Sequence, residues 1–205
     1  MTGRRPSPLG GRKPKTADLG AFATPDPNAL DDVLPASDAA QLRLLIVGVN
    51  PGLWTAAVNA PFARPGNRFW PALHQAGLTE HLVDASLGLS AYDEAHLLSR
   101  GIGITNLVGR ATARADELTR EELRAGAARL VERVRALAPE RVAIAGITAF
   151  RQAFDVPKAV LGEQPAELVP GWPAEVRLFV VPQPSGLNAH ETVATLAEKW
   201  RVVLA

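Results

Sequence analysis

Hydrophobic residues along this chain fall into short apolar runs separated by segments of helical periodicity. Four runs are nearly continuous in apolar character, which is typical of strands buried in a parallel sheet. They span residues 42–49, 102–108, 141–146 and 176–181. Strands separated by helices imply right-handed crossovers. The pattern therefore predicts an α/β fold: a three-layer α/β/α domain with a central, mainly parallel sheet of four to five strands.

Helical periodicity is clearest from Leu118 to Leu137, where apolar residues recur at helical spacing. Thr119, followed three residues later by Glu122, forms a capping-box pattern at the start of this helix. Further helices are predicted from about Asn67 to Gly77, over residues 148–154, and from about His190 to the C-terminus.

The first 40 residues follow a different pattern. They are rich in proline and glycine and lack sustained periodicity, so residues 1–40 are predicted to form a disordered arm and residues 41–205 a single catalytic domain. The arm is basic before its first acidic residue, Asp18. Such an arm can attract phosphates or act as a solubilising tail.

Composition excludes several kinds of chemistry. The 205 residues carry a formal net charge of +1 and contain no cysteine, which excludes disulfides, thiolate nucleophiles and cysteine-ligated metal clusters. The four histidines lack metal-ligand spacing, so no metal and no organic cofactor are expected. No apolar run approaches a membrane span of about 18–20 residues and no secretory pattern is seen, so a cytoplasmic protein is expected, nucleoid-associated if bacterial.

Two unusual sequences follow predicted strands. Gly48-Val49-Asn50-Pro51-Gly52 leaves the first, and residues 182–190 (PQPSGLNAH) leave the last. In such sheets, ligands bind beyond the carboxyl ends of the strands. Glycine permits close backbone approach, and an asparagine amide can hold a water or a base edge. Taken alone, both sequences are equally compatible with tight strand-exit turns.

The surrounding sequence adds a resemblance. Residues 48–78 closely resemble the first motif of the mismatch-specific uracil and thymine DNA glycosylase family, with Pro61-Phe62 and a basic-Pro-x-Asn-Arg-Phe-Trp run at 64–70. Residues 184–187 (PSGL) are similar to its second motif, and the resemblance covers about residues 42–201. It implies a DNA glycosylase of base excision repair that flips out and hydrolytically excises uracil, from G:U mismatches above all, and leaves an abasic site.

The resemblance also implies partners and roles for residues. The partner would be double-stranded DNA containing uracil or mismatched bases, bound by a monomer. Binding of single-stranded DNA and excision of thymine or modified pyrimidines are left open. Asn50 would position the attacking water. The base pocket would comprise Val49, Gly52 and Phe62, and the DNA wedge and backbone contacts would comprise Ser185, Gly186, Leu187, Asn188, Arg64 and Arg68. Phe62 as a core residue, Leu187 as an ordinary loop leucine and Arg68 as a structural partner at a helix start are the alternatives.

The chain departs from the family pattern at several positions. Gln183 replaces an asparagine, Asn106 occupies a lysine-like position in the second strand, and His190 either contacts a phosphate or caps the last helix. These changes bear on the preference for mismatches. Asp93 is a candidate for an additional catalytic carboxylate if a loop carries it to the pocket; the alternative is a solvated residue at a helix start.

Two other classes of function compete with the glycosylase. One is a non-catalytic damaged-DNA-binding domain, and the other is a nucleotide-binding α/β domain, although the chain lacks glycine-rich phosphate fingerprints. A bifunctional lyase would need an amine nucleophile. Lys158 and Lys199 are the only lysines beyond the arm and lie in neither motif, which favours a monofunctional enzyme.

Overall fold

The computed structural model describes residues 4–36 and 41–205, and a five-stranded sheet forms its centre. The strands, in spatial order β2-β1-β3-β5-β4, are all parallel except β4, which runs antiparallel to β5. Their bounds are β1 Leu44–Gly48, β2 Ile102–Asn106, β3 Arg141–Ala145, β4 Gly162–Gln164 and β5 Arg177–Val181. All four predicted strands are present. The fifth, β4, has only three residues and no apolar run, so nothing in the hydrophobic pattern indicated it.

Helices cover both faces of the sheet. Their bounds are α1 Thr16–Leu19, α2 Leu53–Val58, α3 Phe69–Gln75, α4 Ala91–Ser99, α5 Arg120–Leu137, α6 Ile147–Ala153 and α7 Val193–Leu204. Successive residues of β1 point to opposite faces, as the pleat requires. Ile46 packs in a cluster with Phe69 and Trp200, whereas Val47 packs in a second cluster with residues of α5 and α6. The predicted three-layer α/β/α fold is confirmed.

The ends of the predicted helices were only partly right. The capping box of α5 is present: Glu122 N donates to Thr119 Oγ1 at 3.1 Å, and Thr119 N donates to the Glu122 carboxylate at 2.8 Å. The last helix begins at Val193 with Thr192 as its N-cap, so His190 does not cap it. Helices α1, α2 and α4 were missed. Helix α1 lies in the predicted arm, and Leu97 is the only buried residue of α4, so the apolar face of α4 is weak.

The prediction of a disordered arm is wrong for residues 4–36, which lie against the domain. Val33 pairs antiparallel with Ile104 of β2 through two N–H···O bonds of 2.8 Å, and its side chain is fully buried. Asp32 accepts a hydrogen bond of 2.7 Å from Thr105 and pairs with Arg133. This segment therefore covers the edge of β2, where unpaired backbone groups would otherwise face solvent. The rest of the predicted arm, residues 1–3 and 37–40, lies outside the described residues.

No helix within residues 4–36 and 41–205 is both long and apolar enough to cross a membrane.

Candidate active site

A cleft of about 840 Å³ opens at the carboxyl ends of the parallel strands. Loops that follow β1, β2, β3 and β5 line it, so the two unusual strand-exit sequences meet at one edge of the sheet. Their meeting follows from the parallel topology, because the carboxyl ends of parallel strands share an edge. The lining includes Val49, Asn50, Gly52, Phe62, Arg64, Asn106, Thr112, Ser185, Leu187, Asn188 and His190.

The side chain of Asn50 is held by the loop after β2. Its Nδ2 donates to the Arg110 carbonyl at 2.9 Å and to Thr112 Oγ1 at 2.7 Å. A carbonyl can only accept, so the Arg110 contact fixes which end of the amide faces this loop. Within the described part of the chain, no group donates to Asn50 Oδ1. The residue therefore offers the cleft a hydrogen-bond acceptor with a fixed direction.

The loop that holds Asn50 is itself anchored at both ends. Thr112 is only 2% exposed, and its backbone N–H donates to the Pro51 carbonyl at 3.1 Å. Arg110 pairs with Glu122 in the first turn of α5, with 2.7 Å between Nε and Oε1. The hydrogen bonds from Arg110, together with one from the Thr119 N–H, lower the pKa of Glu122 to about 2. Glu122 is therefore charged at neutral pH, and the capping residue of α5 also secures the loop at the cleft.

Gly48 brings an aromatic ring and an amide together in the cleft. A Cβ on Gly48 would collide with the Asn106 side chain and lie 3.4 Å from Cζ of Phe62, so only glycine fits between them. Phe62 adopts a left-handed backbone conformation, with φ of 53°, and its ring stacks on Phe69 with centroids 3.8 Å apart. Its side chain packs against the core, which was the alternative considered from the sequence, and it also lines the cleft.

Asn106 is a cleft residue that sequence reasoning did not single out as a site. It was noticed only because it departs from a family position, yet it closes β2 at the edge where ligands are expected. Its amide carries a donor and an acceptor on neighbouring atoms. An asparagine at the carboxyl end of a buried strand was the feature of the sequence that could have indicated a site residue here.

The loop after β5 carries an exposed leucine on a constrained backbone. Leu187 is 84% exposed. Asn188 N donates to the Ser185 carbonyl at 3.0 Å, and Asn188 Nδ2 donates to the Gln183 carbonyl at 3.0 Å. A Cβ on Gly186 would lie 2.6 Å from the Gly66 carbonyl oxygen, so this loop touches the first motif directly. We call residues 183–190 the wedge loop.

The two arginines of the first motif have different surroundings. Arg64 is exposed at the cleft, and its guanidinium forms no hydrogen bond or ion pair with the described residues. Arg68 instead donates to carbonyl oxygens of the wedge loop, the closest being that of Asn188 at 2.8 Å. This geometry favours the structural alternative for Arg68 and leaves Arg64 available to an anion.

Asp93 does not line the cleft. It lies in the first turn of α4, where its carboxylate accepts from Ser90 Oγ and contacts His81 Nε2, both at 2.6 Å. The loop that was to bring it to the pocket is a capped helix start, so the expectation of an additional carboxylate there is corrected. Trp54, in α2 just after Asn-Pro-Gly, packs against the core and donates to the Ser86 carbonyl at 2.9 Å.

The carboxylates that do line the cleft are neutralised by cations. Asp116 pairs with Arg114, and Glu191 contacts Lys199 Nζ at 2.8 Å. Burial alone would raise the pKa of Glu191, but hydrogen bonds from Lys199 and Thr195 outweigh it and leave the pKa below its ordinary value. The lowered pKa keeps Glu191 charged at neutral pH, paired with Lys199. Within the described ranges, no three histidine, aspartate or glutamate side chains are grouped as metal ligands.

Most of the sequence matches the model of a protein family. The model of the uracil DNA glycosylase superfamily aligns with residues 34–204, which is most of the chain. The chain belongs to this superfamily. As a superfamily member it is a hydrolase of N-glycosidic bonds that acts on DNA. The match is to the superfamily, whereas the resemblance of the motifs points to one branch of it. Residues 4–33, which include the segment on β2, precede the matched range.

Proposed function

We propose that this protein is a monofunctional, mismatch-specific uracil-DNA glycosylase. It flips uracil out of DNA, from G:U mismatches in preference, and hydrolyses the N-glycosidic bond to leave an abasic site. The observation that carries the proposal is the fixed amide of Asn50, whose free acceptor Oδ1 lies in the same cleft as Phe62 and Asn106.

The fixed amide suits hydrolysis without a covalent nucleophile. As the bond to the base breaks, the sugar develops oxocarbenium character and the base leaves as an anion. A water held by Asn50 Oδ1 would be oriented for attack on the sugar carbon, and holding it in place reduces the entropic part of the barrier. An amide is not a strong base, and both cleft carboxylates are paired with cations. We therefore expect slow turnover, with positioning as the main contribution.

Base recognition would use Phe62 and Asn106. Stacking of a base on an aromatic ring contributes about 1–3 kcal/mol and tolerates different bases. The Asn106 amide can donate to O4 of uracil and accept from N3–H, whereas cytosine presents the opposite pattern at these atoms. Thymine offers the same edge as uracil, so its excision depends on whether Val49 and Gly52 leave room for a methyl group.

Extraction of the base from a duplex would use the wedge loop. Flipping costs a few kcal/mol, and the gap in the base stack must be filled. Leu187, 84% exposed at the tip of the loop, supplies an apolar side chain for that gap. A G:U mismatch is easier to open than a matched pair, which supports the preference for mismatches. Arg64 is suited to a flanking phosphate.

A lyase step would need an amine at the cleft. Lys199 is paired with Glu191, and no lysine lines the cleft within the described part of the chain. The product would therefore be an intact strand with an abasic site.

The test is excision from labelled duplexes that contain uracil opposite guanine, uracil opposite adenine, or a single-stranded uracil. Alkali after incubation should reveal strand breaks, fastest with the G:U duplex, and no break should form without alkali. Asn50→Ala should lower the rate at least about 100-fold, while binding to the duplex persists. Absence of alkali-labile product from the wild-type protein would overturn the proposal, and a mobility shift without product would favour a non-catalytic binder of damaged DNA.

A further inference from the structure

We propose that Arg68 is a positioning residue whose guanidinium holds the wedge loop in the conformation that projects Leu187. The inference rests on the proposed function for its catalytic consequence, but the contacts that carry it are independent of that function. It assigns to Arg68 a role within the protein, in place of the phosphate contact considered from the sequence.

The guanidinium donates to three backbone carbonyl groups of the loop. Its Nη1 donates to the Asn188 carbonyl at 2.8 Å and to the Ser185 carbonyl at 3.3 Å, and its Nη2 donates to the Gly186 carbonyl at 3.2 Å. The backbone N–H of Arg68 donates to the Pro184 carbonyl at 2.9 Å. One residue therefore bonds the wedge loop on both sides of Leu187.

The arrangement of these acceptors explains why a cation is needed. Carbonyl oxygens that converge on one point repel one another, and a cation placed between them offsets that repulsion. A guanidinium supplies several N–H donors from two nitrogens in a rigid plane, which an ammonium cannot reproduce. Hydrogen bonds to a charged donor are also stronger than neutral ones. Arg68 thus stabilises a loop geometry that is unfavourable without it.

The loop needs this support because of what it exposes. Leu187 is 84% exposed, and an unrestrained loop could bury such a side chain against the protein surface. A wedge must instead stay extended before DNA arrives. The close approach of Gly186 to the Gly66 carbonyl leaves no room for a side chain and gives the loop a second contact with the first motif. The two sequence motifs are therefore joined through Arg68 and this glycine contact.

Arg64 provides a matched control, since it lies four residues earlier at the same cleft and makes no bond to the wedge loop. We would measure single-turnover excision from the G:U duplex for Arg68→Gln, Arg68→Lys, Leu187→Ala, Arg64→Gln, and the doubles of Leu187→Ala with each arginine variant. Arg68→Gln and Leu187→Ala should each lower the rate about tenfold. Both substitutions act through the wedge loop, so their effects should not multiply. The excision rate of the double variant should lie within about threefold of the rate of the slower single variant. The effects of Arg64→Gln and Leu187→Ala should multiply.

Hydrogen–deuterium exchange of the loop amides gives a readout that does not depend on activity. Leu187 N and Asn188 N both donate to Ser185, at 3.2 and 3.0 Å, so loosening of the loop exposes them to exchange. Arg68→Gln should accelerate exchange across residues 183–190, with a smaller effect for Arg68→Lys, whereas Arg64→Gln and Leu187→Ala should leave it unchanged. Unchanged exchange in Arg68→Gln would overturn the inference. So would a double variant of Arg68→Gln and Leu187→Ala in which the two losses of excision rate multiply. If the wild-type protein excises nothing, the proposed function fails and exchange alone decides the role of Arg68.

Discussion

Replacement of Thr112 by valine should slow excision without weakening DNA binding. Valine has nearly the shape of threonine and puts a methyl group in place of the hydroxyl, which accepts a 2.7 Å hydrogen bond from Asn50 Nδ2. Thr112 is 2% exposed, so water cannot readily take the place of that oxygen. Asn50 would then be held by the Arg110 carbonyl at 2.9 Å and by a longer contact of 3.3 Å to the Pro51 carbonyl.

The size of the effect follows from the bond that is lost. A hydrogen bond of this kind contributes about 0.5–1.5 kcal/mol net, and about 1.4 kcal/mol corresponds to a factor of ten in rate. If the lost restraint on Asn50 is fully expressed in the orientation of the water, excision should slow about two- to tenfold. Thr112→Ser keeps the hydroxyl and should stay within about twofold of the wild-type protein, since it removes only a methyl group.

Single-turnover kinetics with enzyme in excess over the G:U duplex separates the chemical step from binding. The rate at saturation should fall in Thr112→Val, while the enzyme concentration at half-saturation should stay the same. A rate equal to wild type in Thr112→Val would refute the role assigned to this contact. Equal slowing by Thr112→Ser would also refute it, because the cause would then be packing.

Three further outcomes are expected. Asp93→Ala should leave the excision rate within about twofold of wild type and lower thermal stability, because its carboxylate bonds the N-cap residue Ser90 and His81 in the first turn of α4, where an acidic side chain contributes about 0.3–1 kcal/mol; a hundredfold loss of excision at full stability would restore its catalytic candidacy. The pKa of Glu122 lies at about 2 in the folded protein against 4.5 ordinarily, so its stabilising effect is present above pH 4.5 and is lost as the pH falls toward 2. In Glu122→Gln, the free energy of unfolding from urea titrations should therefore depend less on pH between 4.5 and 2. The same pH dependence as in the wild-type protein would contradict this role of Glu122. Removal of residues 1–36 should lower the midpoint of thermal unfolding, since it uncovers the β2 edge and deletes the buried Val33; an unchanged midpoint would show that the contacts of this segment add no stability.

The sheet was predictable because its strands are buried runs. Each parallel strand carries consecutive apolar residues that pack into the helical layers on both faces, so local composition determines it. Strand β4 is short and half-polar, and it is held by pairing with β5, which leaves no local pattern. Segment 4–36 was misjudged for a related reason. Its prolines and charges are typical of disorder, but its order comes from contacts with residues distant in sequence, as between Val33 and Ile104.

The site was predictable where its residues lie in contiguous motifs and missed where it depends on contacts between loops. Asn50 and Phe62 stand in a long motif, and both line the cleft. Thr112 lies 62 residues from Asn50, and no spacing in the sequence relates the two. Asp93 was considered because the stretch around it is polar, yet polarity there reflects a solvated helix. A polar residue far from the motifs indicates chemistry only after the fold shows where it points.

The first motif is longer than a strand-exit turn alone would need, and the structure explains its length. Gly48 leaves room for Phe62 and Asn106, and Asn50 is fixed by the neighbouring loop. Farther along the motif, Arg68 bonds the wedge loop 117–120 residues away. If each part served only the fold, replacing Arg68 would change stability and leave the consequences of Leu187→Ala intact. If the motif couples the pocket to the wedge, the two substitutions must depend on each other, and that dependence distinguishes a shared functional unit from a set of neighbouring turns.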